Sequence, residues 1–462
     1  MAEWLTSARN YITEWVDYQR KFHDQPGVSL AVSHAGELVL EHASGSANLA
    51  TGEKLTPRHR FRVASHSKSF TAAGVMMLRE RGKIGLDDRV DKFISDLTPE
   101  VGGVMISQLL SHSAGLTRDG PDAGQFQDRR DFLDEAQLRA DLAQVQPLEP
   151  GSMMKYSNHG FALLGKVIEN VTGERYGDWI RREIIGAADL KETAPDYSSS
   201  CVPFAYGHST RMPFGQRYVI PGVSSTHAMA AATGFTATAA DLARFFGQLA
   251  PKAQQSVLSS GSRKEMTRRH WRDANSQIER YYGLGISSGE PGPWAHFGHS
   301  GAFQGTLSRT GCIAEQAMTI SVITNAIDGR ANLWFESIVQ ILKTMHDLGA
   351  PALGTRDWRG RWWSIWGATD LVPGREKVLV ALPAENNPFF DASEIQVTGK
   401  DCGKVVKSQA YGRFGETCQL IRGTAGHVEQ VRIGGVLLVR EEALLAEVAA
   451  RYHHGMASVA KE

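Results

Sequence analysis

The chain has 462 residues, beyond the roughly 250–300 at which one hydrophobic core stops growing, so a large unit plus at least one further domain is expected. Hydrophobic residues make up 42% and charged residues 22%, an ordinary globular composition that argues against disorder. The 50 Lys plus Arg balance the 50 Asp plus Glu without a long basic run, which leaves a nucleic-acid or anionic-membrane partner no electrostatic support.

The first residues lack an apolar leader core and read as an amphipathic helix to Phe22, with Trp4, Ala8, Tyr11, Trp15 and Tyr18 at helical spacing. A cytoplasmic location is therefore expected, or a periplasmic or secreted one if a native signal was trimmed. Gly27–Ser33 and Glu37–Ser44 are β-rich runs flanking His34-Ala35-Gly36 and predict a hairpin. Helical patterns follow at Ser69–Arg81, Ile106–Ser111, Glu135–Val145, Asn158–Val171, Tyr176–Ile185 and Ala239–Leu249. A second hairpin is expected at Gly305–Ile313 and Met318–Asn325, then a helix from Asn332 to Leu348, so that the outer segments complete one sheet around a helical insertion. After Pro351, strand-like runs at Arg361–Leu371, Lys377–Leu382, Ser393–Gly399, Val405–Ala410, Glu416–Arg422 and Glu429–Arg440 suggest an antiparallel sandwich or barrel, closed by a helix from Glu442 to His453. The expected domains are 1–349 and 350–462. No run approaches 18 consecutive apolar residues. Cys201, Cys312, Cys402 and Cys418 are widely spaced and read as thiols rather than a zinc site or a disulfide framework.

Ser65-His66-Ser67-Lys68 opens an amphipathic helix carrying Phe70, Ala73, Gly74, Met77 and Leu78. Residues three apart share a helix face, so the Lys68 amine lies beside the Ser65 hydroxyl and can take its proton, while the helix N-terminus favours a developing oxyanion. The motif is weak alone, since Ser152-x-x-Lys155 and Ser458-x-x-Lys461 repeat it in a loop and in the C-terminal tail, and Ser65 serves equally well as a helix N-cap. Tyr156-Ser157-Asn158, just before a helical run, adds a phenol and an amide, although a packing tyrosine and a capping asparagine account for them too. His299-Ser300-Gly301 is expected just ahead of the strand starting near Gly305, with the glycine allowing close approach of a ligand backbone. His296-x-x-His299 is a poor metal pair, because extended residues three apart point to opposite faces.

The order Ser65-x-x-Lys68, Tyr156-x-Asn158, His299-x-Gly301 resembles the three motifs of the penicillin-recognising serine hydrolases, a family of class C β-lactamases, D,D-carboxypeptidases, D-aminopeptidases and related esterases. Leu109–Leu116, Pro150-Gly151 and Gly234–Ala243 are similar to further landmarks, over roughly residues 20–348. The resemblance implies an α/β fold, an antiparallel sheet flanked by helices with a helical lobe. It further implies acylation of Ser65 with Lys68 and Tyr156 sharing the base chemistry, Asn158, His299 and Gly301 on the substrate, and an oxyanion hole from the N–H groups of Ser65 and Ala302. No cofactor or metal is called for. A histidine at position 299 removes a permanent cation from the substrate strand, which disfavours β-lactams and suits amides, esters or short peptides without a carboxylate at that subsite. Relatives with His-x-Gly are often D-aminopeptidases, D-amino-acid amidases or esterases, and some carry lipocalin-like C-terminal barrels, in which Trp358, Trp362, Trp363 and Trp366 read as core. His112 reads as structural. The expected partner is a small-molecule or short-peptide substrate, and self-association into a homo-oligomer is left open. Two rivals are an α/β-hydrolase elbow at Ser300, which needs a following helix, and a binding protein that is acylated without turnover.

Overall fold

The computed structural model describes residues 3–289, 292–409 and 412–452. The chain folds into two compact units, residues 23–335 and residues 1–22 together with 336–462. The amphipathic first helix, α1 (Glu3–Phe22), belongs to the unit that holds the C-terminal barrel rather than to the one that follows it in the sequence.

Unit 23–335 is built on nine antiparallel strands. β1 (Gly27–His34) and β2 (Glu37–Asn48) form the first hairpin, turning at Ala35 and Gly36, whose positive φ of 53° and 88° matches the twist a tight hairpin needs. β3 (Glu53–Lys54) extends the edge. The opposite half comprises β4 (Trp271–Arg272), β5 (Arg280–Tyr282), β6 (Ser287–Gly289), β7 (Phe297–Phe303), β8 (Thr306–Ile313) and β9 (Met318–Thr324), in the order β3-β2-β1-β9-β8-β7-β6-β5-β4. β1 lies between β2 and β9, with Val28 opposite Thr324 and Leu30 opposite Val322, and β1 and β9 are buried along nearly their whole length because they are central.

In the sequence, the helical residues come between the two halves of this sheet. α2 (Ser67–Glu80) is buried from Ser67 to Leu78, and α3 (Asn158–Thr172) is capped by Ser157, whose Oγ accepts from Gly160 N at 3.0 Å. α4 (Ala239–Gln248) stacks Phe245 on Phe70 of α2 with ring centroids 3.9 Å apart. The expected helix Tyr176–Ile185 is α-helical only to Ile180, then π-helical over Arg181–Gly186.

α5 (Ala331–Leu348) leads to the second unit. There β10 (Gly360–Ser364), β11 (Gly367–Pro373), β12 (Lys377–Ala381), β13 (Ser393–Val397), β14 (Cys402–Lys407), β15 (Thr417–Arg422), β16 (Val428–Ile433) and β17 (Val436–Val439) close an antiparallel barrel, followed by α6 (Glu441–Tyr452). Trp358, Trp362, Leu371, Val378, Ile395, Val405, Leu420 and Val431 form its core. Two runs expected as single strands are hairpins. Arg361–Leu371 turns at Gly367, with φ 116°, and Glu429–Arg440 at Gly434, with φ 56°; the apolar Ile365-Trp366 at the first tip conceals the turn. Trp366 is correspondingly 93% exposed and not in the core with Trp358 and Trp362. Ala410, His453 and the Ser458–Lys461 segment lie outside the described residues. Among the described residues no helix is long and apolar enough to cross a membrane.

Candidate active site

Ser65 sits in a single 3₁₀ turn, Ala64–His66, immediately before α2. Ala64 holds φ at 45°, a conformation disfavoured for any residue with a Cβ, so the turn must be held by its surroundings. They do so on two sides. Val63 N donates to Phe235 O at 3.0 Å and Phe235 N to Ser67 Oγ at 3.0 Å, tying the turn to the segment before α4. On the sheet side a Cβ on Gly301 would stand 2.1 Å from Val63 O, so only glycine lets β7 lie this close. The cap position of α2 is His66, and its side chain makes no cap bond; Ser65 therefore does not serve as the N-cap.

Lys68, on the first turn of α2, is fully buried; Nζ donates to Asn158 Oδ1 at 2.6 Å and to Ala232 O at 2.8 Å and lies 3.1 Å from Ser65 Oγ. Burial drives its pKa well below that of an ordinary lysine; Asp119 works against this and Arg118 with it. Lys68 Nζ lies 4.8 Å from the centre of the Tyr156 ring. Burial pushes the Tyr156 phenol upward in pKa, opposed by its hydrogen bond with Ser65. Ser157, not Asn158, caps α3, which leaves the Asn158 amide for Lys68 on one side and for Asp119 Oδ1, 2.5 Å from Nδ2, on the other.

The third motif lies within strand β7 rather than ahead of a strand, because Phe297–Phe303 pairs along its length with β8. His299 donates from Nδ1 to Ser300 O at 2.7 Å and accepts at Nε2 from the Tyr282 hydroxyl at 2.9 Å. Burial, with the nearby His66 and Lys68, holds its pKa well below the usual value, so it is neutral near pH 7. Ala302 is exposed on the same strand. Ser300 is followed by a turn and β8, not by the helix that a nucleophile elbow requires.

The structure thus brings Ser65, Lys68, Tyr156 and Asn158 into one cluster, with Gly301 against Val63 and His299 6.1 Å from the His66 ring. Sequence reasoning did not single out Asp119, Arg118, Tyr282 or His66. His66 donates from Nδ1 to Val63 O at 3.0 Å and accepts from Thr310 Oγ1 at 3.0 Å, and burial takes its pKa down to about 3. His112 accepts Ser157 N–H at 3.1 Å, a structural task, and its ring lies 4.1 Å from that of Tyr156. Asp119 alone carried a local signal, as an acid beside Arg118 in a turn after the Leu109–Leu116 landmark; Tyr282 is set by strand pairing and carried none.

A family model described as Beta-lactamase matches residues 12–339. A penicillin-binding protein of Bacillus subtilis (strain 168) is 30% identical over 213 residues, 43% of this chain and 45% of that one. Protein flp of Staphylococcus aureus (strain MW2) is 26% identical over 172 residues, 36% of this chain and 34% of that one, so the chain spans less than half the length of the curated relatives it matches. Among solved structures, an octameric penicillin-binding protein homologue from Pyrococcus abyssi overlays with TM-score 0.65 at 20% identity, covering 93% of this chain and 99% of that one. A D-amino acid amidase from Ochrobactrum anthropi SV3 overlays with TM-score 0.64 at 23% identity, covering 73% and 99%. These overlays show a shared fold.

Proposed function

The chain belongs to the beta-lactamase family of serine hydrolases, and from that premise we propose that it cleaves amide or ester bonds through an acyl-enzyme on Ser65, as a D-aminopeptidase or amidase. The observation that carries this reading is the 3.1 Å contact between Lys68 Nζ and Ser65 Oγ in a buried setting that favours the neutral amine. A neutral Lys68 takes the Ser65 proton as Oγ attacks the acyl carbon. Tyr156, whose raised pKa keeps it protonated, then passes a proton to the leaving group and recovers one from Lys68. The N–H groups of Ser65 and Ala302 receive the oxyanion, and water completes hydrolysis.

Substrate preference follows from His299. Both its ring nitrogens are engaged within the protein and it carries no charge, so it offers no cation for a carboxylate. An amide, ester or short peptide without a carboxylate at that subsite fits better than a β-lactam, in keeping with the D-amino acid amidase among the structural neighbours. A carboxylesterase or β-lactamase activity is the alternative within the family. A second class of reading, acylation without turnover, is favoured by the name of the 30% identical penicillin-binding relative. We further propose residues 1–349 as the catalytic portion and 350–462 as the appended barrel, and self-association in line with the octameric neighbour.

The test is steady-state hydrolysis of D- and L-alanine p-nitroanilide, p-nitrophenyl acetate and nitrocefin by the wild type and Ser65→Ala. The D-anilide is expected to turn over and the Ser65→Ala rate to vanish. Equal rates in the two proteins would remove Ser65 from the mechanism, and one equivalent of product without further turnover would favour the binding protein.

A further inference from the structure

The contacts behind Lys68 end on a carboxylate. We propose that Asp119 is a positioning residue for acylation, fixing the Asn158 amide toward Lys68 and supplying the counter-charge that sets how readily Lys68 gives up a proton. This rests on the Ser65 and Lys68 reading above.

The geometry is determined by donor and acceptor chemistry. A lysine amine side chain donates and a carboxylate accepts, so an asparagine amide held between them has one orientation that satisfies both: Oδ1 to Lys68 Nζ at 2.6 Å and Nδ2 to Asp119 Oδ1 at 2.5 Å. The second carboxylate oxygen takes Arg118 Nε at 3.0 Å, and the Arg118 guanidinium lies 5.1 Å from the Tyr156 ring centre. One carboxylate thus holds both an amide on Lys68 and a cation on Tyr156.

The backbone keeps it there. Asn158 N donates to Arg118 O at 2.9 Å and Ser157 Oγ to Thr117 O at 2.6 Å, clamping the 117–120 turn to the start of α3. Gly120 has φ 77° and its missing Cβ leaves room for Asp141, so the turn cannot readily be rebuilt with another residue. The Asp119 side chain is 12% exposed, so its charge is only partly screened by water.

Lys68 faces Ser65 at the turn before its own helix, His112, Arg118 and Asp119 from the preceding loops, Tyr156 and Asn158 at the start of α3, and His299 on β7. Asp119 is the anion in that set. Without it the ammonium form of Lys68 loses support.

The test follows phosphonylation of the full chain by a fluorophosphonate probe, mapped by peptide mass, as a function of pH. Asp119→Asn keeps an acceptor for Asn158 Nδ2 but no charge, and its acid limb is expected to move to lower pH by about one unit. Asp119→Ala also removes the acceptor and is expected to lower the plateau rate on the order of tenfold. Should Asp119→Ala fail to fold, the Asp119→Asn profile decides. A wild-type pH profile and plateau in the folded variants would overturn the inference. A wild type that is not labelled at Ser65 would instead overturn the nucleophile assignment, and the inference with it.

Discussion

Two regions of this chain bury large side chains completely and do so by opposite means. Around Ser65 the buried groups are polar: Lys68, His66, His112, Asn158 and His299 sit at 0–4% exposure, tied together by hydrogen bonds. In the barrel the buried bulk is Trp358 and Trp362 among aliphatic side chains, and neither indole N–H has a hydrogen-bond partner among the described residues. The first arrangement depends on complementarity, so deleting one partner strands another in a dry site. The second depends on volume, so deleting a side chain leaves a cavity and costs stability.

Ser65→Ala should lower kcat by about 10⁴-fold or more with the melting temperature nearly unchanged, read by the anilide assay and calorimetry. Lys68→Arg should lose about 10²–10⁴-fold, because guanidinium cannot be deprotonated in the operating pH range. Were Lys68→Arg to retain activity, Lys68 would be a charge rather than a base. In the wild type, a Lys68 pKa lowered by burial places the rise of kcat/KM with pH below the ordinary lysine value of about 10.4, and the raised Tyr156 pKa postpones any fall on the alkaline side. Trp362→Ala should cost about 3–5 kcal/mol in the unit that contains it and leave Ser65 labelling per folded molecule intact. Gly301→Ala should cost about 1–3 kcal/mol and, unlike Trp362→Ala, slow labelling, because β7 must move from Val63. Trp366→Ala, at the exposed hairpin tip, should stay within about 0.5 kcal/mol.

The same contrast explains what could be read from the sequence. The hairpin of β1 and β2, the β8–β9 pair, α5 and the closing helix follow periodicity and turn residues, which are local. Ser65, Lys68, Tyr156 and Asn158 were legible because their spacing matches a family pattern, and the structure gathers them. The short edge strands β4, β5 and β6 were not, since two or three residues carry no alternation to detect. Tyr282 and Asp119 were missed for a different reason: Tyr282 reaches His299 through strand pairing, across 17 positions, and the acid beside Arg118, though visible as a turn, does not say that its partner is Asn158, 39 positions on. The barrel hairpin at Ile365-Trp366 misled because its tip is apolar, and its exposure separates it from the tryptophans of the core.

The nucleophile is identified most directly by quenching the reaction with p-nitrophenyl acetate in acid during turnover and mapping the acetyl group by peptide mass. Acetylation is expected on the peptide carrying Ser65 in the wild type and is expected to be absent in Ser65→Ala. An acetyl group on Ser300, or undiminished turnover in Ser65→Ala, would contradict it.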